Sequence, residues 1–106
     1  MEGDAKWVSV CPADAVEEAT AVGYEVAETE VCLYRLEGKI YASHDRCTHG
    51  NAKLSEGYVE EGEIECPFHQ GRFDIRTGEP TFPPCSQAVR TYPAEERDGL
   101  IWIRVA

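Results

Sequence analysis

Apolar positions along the chain recur every second residue in short runs broken by turn residues, and no run keeps the spacing of an amphipathic helix. Residues 6–10 read as a short first strand, with Trp7 as a core aromatic. Residues 12–20 carry alanines and glutamates without an apolar stripe and read as a loop with at most one turn. Val22, Tyr24 and Val26 then alternate with smaller or polar residues, the period of a half-buried strand. Residues 31–36 and 39–43 are rich in strand formers and enclose Glu37-Gly38, which predicts a hairpin. A second, smaller hairpin is predicted where Tyr58-Val59 and Glu63-Ile64-Glu65 flank Glu61-Gly62. Phe73-Asp74-Ile75 is the next strand, ended by Thr77-Gly78. Residues 80–84 contain three prolines and are expected to be a stiff, extended loop. Residues 89–93, an acidic turn ending at Asp98-Gly99, and residues 100–105 form a third hairpin that closes the sheet begun by the first strands. Short strands and frequent turns predict an all-β fold, and no repeat, low-complexity tract or linker divides the chain.

Composition narrows the function. A chain of 106 residues has room for one domain, which should bury roughly two-thirds of its unfolded surface. Ten basic against twenty acidic residues give a net charge of −10. Nucleic acids and anionic membrane surfaces call for Lys and Arg, so neither is an expected partner. No apolar run approaches the length of a membrane span, and the first seven residues hold no apolar signal region. A cytoplasmic location is expected.

The distinctive chemistry lies in residues 47–69. Cys47-Thr48-His49 opens this stretch and Cys66-Pro67-Phe68-His69 closes it, with sixteen residues between the two groups. Each group offers one thiol and one imidazole. A Cys₂His₂ set can hold zinc, but the usual zinc-finger order keeps the cysteines together and the histidines together. Here they alternate. That order suits a two-iron cluster with both cysteines on one iron and both histidines on the other, the ligand set of a Rieske [2Fe–2S] centre. Structural zinc and a chance grouping stand as alternatives. A Cys–His nucleophilic pair accounts for one group and leaves the other idle.

Four protein ligands leave no open metal position, so one-electron transfer is expected rather than catalysis. Gly50, Gly57 and Gly71 permit loops whose amides approach the cluster sulfurs, and the histidines are expected at the loop tips as the exit for the electron. Cys11, Cys32 and Cys85 read as small apolar residues or partly exposed thiols without a role. His44 reads as a strand-end residue rather than a further ligand. Glu56, Glu60, Glu61, Glu63 and Glu65 form either a solvated face or a surface that steers a basic partner. Arg46 and Arg72, beside the ligands, would complement acidic groups on that partner.

The segments Cys47-Thr48-His49-Gly50, Leu54-Ser55-Glu56-Gly57-Tyr58, the run from Ile64 through Cys66-Pro67-Phe68-His69 to Ile75, then Thr77-Gly78 and Tyr92-Pro93, carry a family likeness. The chain resembles the small Rieske ferredoxins of bacterial aromatic-ring-hydroxylating dioxygenases, of the naphthalene and biphenyl dioxygenase kind. The likeness covers nearly the whole chain, is most specific around the ligands and is weak before Val31. It implies a single Rieske domain over residues 1–106, an antiparallel β-sandwich-like base with a cluster-binding subdomain inserted at roughly residues 43–85. It implies that Cys47, His49, Cys66 and His69 hold one [2Fe–2S] cluster. It also implies a monomeric shuttle that takes electrons from a flavin-dependent reductase and passes them to a terminal Rieske oxygenase.

Some Rieske proteins brace the two loops with a disulfide, at places taken here by Ala52 and Phe68, and Gln70-Gly71-Arg72 lacks a hydroxyl donor to the cluster. Both features imply a potential at the low end of the Rieske range. Arg46 stands where an apolar residue is common and Gln70 where many relatives have glycine, which leaves the docking partner open. A small Rieske subunit of another reductase, of the nitrite reductase type, is the alternative within electron transfer. A zinc-stabilised interaction module is the alternative outside it.

Overall fold

The computed structural model describes residues 7–48, 50–68 and 70–105. Its strands are β1 (Val8–Pro12), β2 (Ala21–Val26), β3 (Thr29–Leu36), β4 (Lys39–His44), β5 (Tyr58–Glu60), β6 (Glu63–Glu65), β7 (Arg72–Asp74), β8 (Pro80–Phe82), β9 (Thr91–Tyr92), β10 (Ala94–Arg97) and β11 (Leu100–Ile103). They form three antiparallel sheets, in the orders β1-β11-β10, β2-β3-β4-β9 and β5-β6-β7-β8. Two short 3₁₀ turns, Ala13–Ala15 and Leu54–Glu56, complete the regular structure among the described residues. The fold is all-β, and no described helix is long and apolar enough to cross a membrane.

Turn chemistry sets the register of the hairpins. Glu37-Gly38, Glu61-Gly62 and Asp98-Gly99 all take two consecutive left-handed conformations, with φ of 51° and 81°, 53° and 80°, 55° and 77°. That is the two-residue turn whose twist matches antiparallel strands, and glycine at its second position relieves the strain. The turn between β2 and β3 has the same shape without a glycine, at Ala27 (φ 50°) and Glu28 (φ 67°).

Strand β3 is the shared wall of two apolar cores. Val31 and Leu33 point into one, with Val16, Ile40, Ile101 and Ile103. Cys32, Tyr34 and Leu36 point into the other, with Leu54, Ile64, Phe73, Cys47, Cys66 and Cys85. Burial on both faces explains why Val31-Cys32-Leu33-Tyr34 reads as a continuous apolar run. The second core joins the central sheet to the sheet β5-β6-β7-β8, which lies between β4 and β9 in the chain.

Three expectations need correction. Trp7 is half-buried and outside both cores, and Arg97 and Arg104 lie over its ring at 6.0 and 5.5 Å; the buried aromatics among the described residues are Tyr34, Phe73 and Tyr92. Pro80–Phe82 is a strand, not a loop: Pro80 and Phe82 pair with Phe73 and Arg72 at the sheet edge, where a missing amide costs no ladder bond. The acidic stretch before Asp98 is strand β10, and Thr91–Tyr92 pairs with β4 rather than with the last strand.

Candidate metal centre

Two loops carry the cysteines singled out above, and they close in the same way. The Cys47 N–H donates to the Ala52 carbonyl (2.9 Å) and the Cys66 N–H to the Gly71 carbonyl (2.8 Å), five residues on in each case. Inside each loop a further amide folds back to the cysteine carbonyl, from Gly50 at 3.4 Å and from Gln70 at 3.1 Å. The first loop is tied to its neck by the bridge between Arg46 and Lys53. Asp45, 4 % exposed, fixes it from below, accepting from the Ser55 N–H (2.7 Å) and the Ser55 hydroxyl (2.8 Å). Gln70, at φ 61°, turns the second loop back towards β7.

The loops place Cys47 and Cys66 in the apolar core, 3 % and 0 % exposed, and none of the five cysteines is in a disulfide. His49 and His69 lie outside the described residues. Phe68, beside His69, is 68 % exposed, and the Thr48 hydroxyl, beside His49, donates to the Gln87 carbonyl at 2.8 Å.

A third thiol, unforeseen from sequence, stands at the same place. The Cys85 sulfur is 4.0 Å from that of Cys47, and Gly71 leaves the room it occupies: any Cβ at Gly71 would meet the Cys85 sulfur and backbone. Burial, and then the neighbouring Cys47 and Cys66, push the Cys85 thiol up to about 12. Cys85 lies far from both motifs in sequence, so only the fold brings it in. Asp45 was missed likewise. It looks like an ordinary loop acid until its burial is seen.

The arginines beside the loops are engaged within the chain. Arg46 pairs with Glu30 at 3.2 Å, and Arg72 reaches Glu65 (3.1 Å), Glu63 (3.6 Å) and Glu60 (3.8 Å). They do not stand free to meet acids on a partner. His44 ends β4, half-buried, its N–H donating to the Arg90 carbonyl.

Two buried sulfurs on matched loops, in dry surroundings, are a soft donor set that fits iron of an iron–sulfur cluster. The sequence profile of the Rieske [2Fe–2S] domain matches residues 6–93. The chain belongs to the Rieske [2Fe–2S] domain family. As a Rieske protein it has one Rieske-type [2Fe–2S] cluster as its cofactor. It is similar to the ferredoxin component of the naphthalene 1,2-dioxygenase system of Pseudomonas putida, with 44 % identity over 85 % of this chain and 86 % of that one. It is also similar to the anthranilate 1,2-dioxygenase ferredoxin subunit of Burkholderia cepacia, with 40 % identity over 95 % of this chain and 94 % of that one. Among solved structures, this Rieske fold matches the Sphingomonas yanoikuyae B1 ferredoxin with a TM-score of 0.89 and 34 % identity, covering 95 % of this chain and 100 % of that one. A chain in the complex of reduced oxygenase and oxidized ferredoxin in carbazole 1,9a-dioxygenase matches with a TM-score of 0.86 and 35 % identity, covering 92 % of each. The chain is an electron-transfer protein of the Rieske ferredoxin kind, not an oxygenase.

Proposed function

We propose that Cys47, His49, Cys66 and His69 hold the cluster, and that the protein carries single electrons from a flavin-dependent reductase to a terminal aromatic-ring dioxygenase. The observation that carries this reading is the matched closure of two loops, each headed by a buried cysteine, in a chain of the Rieske family. When bound, such a cluster takes up and releases one electron at a time. The chain's own residues hold two thiolates in a dry core and present the second loop at the surface through exposed Phe68. We place the cluster-binding part at roughly residues 43–85 of a single domain.

The acceptor follows from the solved complex of an oxygenase with a similar ferredoxin. A separate reductase as donor is supported by the relatives being named as components of multi-part dioxygenase systems. A monomer suits a carrier that must meet both in turn, and five cysteines without a disulfide suit the cytoplasm. Gly71 and Phe68, in the places that elsewhere supply a hydroxyl or a disulfide, support a potential at the low end of the Rieske range. The test is stopped-flow mixing of the reduced protein with a terminal oxygenase of the naphthalene dioxygenase type. Re-oxidation of one electron per chain is expected. An intact cluster that the oxygenase leaves reduced would contradict the proposal.

A further inference from the structure

Cys85 lies between the loops that carry Cys47 and Cys66. Its sulfur lies 4.0 Å from the Cys47 sulfur, and it is 6 % exposed. On the second loop, Gly71 and Cys85 fit one another, since any side chain at Gly71 would displace the thiol. Just beyond it, the Thr48 hydroxyl holds the Gln87 carbonyl at 2.8 Å, and the Val89 N–H donates to the Gly78 carbonyl at 2.9 Å. The segment that carries Cys85 is thus fastened both to the first ligand loop and to the turn after β7. A thiol used only to fill space would not need a partner sulfur in reach.

We propose that Cys85 is a positioning residue for the cluster, its S–H donating to the ligand sulfur of Cys47 and raising the midpoint potential. This rests on the reading in which Cys47 binds iron. A metal-bound thiolate has no proton, so it can only accept, and the direction of the bond is set. A hydrogen bond to a ligand sulfur draws off negative charge and favours the reduced cluster, which carries one more electron. Gly71 supplies no hydroxyl of its own, and the thiol that fills its space is the donor at that position.

The test compares the holoprotein with its Cys85→Ala and Cys85→Ser variants by voltammetry and by electron paramagnetic resonance of the reduced state. Cys85→Ala is expected to keep its iron and its Rieske signal but to titrate at a lower potential. Cys85→Ser, which restores a donor at nearly the same size, is expected to recover most of that shift. If both variants shift alike, or neither shifts, Cys85 is filler and the proposal fails. If both lose the cluster, Cys85 is a ligand or a structural support, and the proposal fails equally. A wild-type protein without a histidine-ligated signal would instead remove the ligand reading beneath it.

Discussion

Ser55 gives Asp45 two hydrogen bonds at once, from its backbone amide at 2.7 Å and from its hydroxyl at 2.8 Å. Asp45 precedes the loop headed by Cys47 and Ser55 follows it, so one buried carboxylate clasps that loop at its base. Hydrogen bonds to a charged group are worth about 1.5–3 kcal/mol. Ser55→Ala is expected to lower stability by that order, and Asp45→Ala by more, because it also leaves the Ser55 amide without its acceptor. Thermal unfolding followed by the visible absorbance of the cluster checks both. Equal midpoints for wild type and Ser55→Ala would show that the clasp does not hold the loop.

Gly57 sits where β6 approaches most closely, and a Cβ there would run into the Glu65 carbonyl, one residue before Cys66. Backbone cannot yield as a flexible side chain does. Gly57→Ala is therefore expected to cost about 1–3 kcal/mol and to loosen the second loop, seen as faster iron loss to a chelator.

Glu28 bears a left-handed conformation at φ 67° in a two-residue turn that normally uses glycine. Glu28→Gly relieves strain of about 1 kcal/mol, offset in part by the freer unfolded chain. A rise in the unfolding midpoint of about 2–4 °C is expected for a net gain near 0.5 kcal/mol. A fall would mean that the glutamate side chain holds the turn.

Glu18 caps the Glu37-Gly38 turn, accepting from the Glu37 N–H at 2.6 Å and the Gly38 N–H at 3.0 Å. These bonds, that to Gly38 first, hold its carboxyl below the usual carboxylate range. A depressed folded pKa adds stability that is present above the unfolded value and is lost as pH falls through the folded one. Glu18→Gln is expected to weaken the turn at neutral pH and to narrow its gap from wild type as the solution is acidified below the ordinary glutamate range. Hydrogen exchange at the Glu37 and Gly38 amides reads this locally.

The parts of the fold that were legible in the sequence are those with local causes. Glycines 38, 62 and 99 mark three of the tight turns because each relieves a positive φ. The order of Cys47, His49, Cys66 and His69 motivates the proposed ligand set, because residue type and spacing are local facts. What escaped depends on distant partners. Trp7 reads as core, yet its ring is taken by two arginines from the far end of the chain. The turn at Ala27-Glu28 carries no glycine to mark it. Arg72 looks available for a partner until the pleat sets it beside Glu63 and Glu65. Cys85 gains meaning only from Gly71 and Cys47, neither of them near it in sequence.

In the proposed site two cysteines and two histidines of this chain share one two-iron cluster. Electron paramagnetic resonance of the dithionite-reduced protein, taken together with its metal content, tests this. Two irons per chain are expected, with the low average g-value that histidine ligation gives a reduced [2Fe–2S] centre. Zinc in place of iron, or the higher average g-value of an all-cysteine cluster, would contradict it.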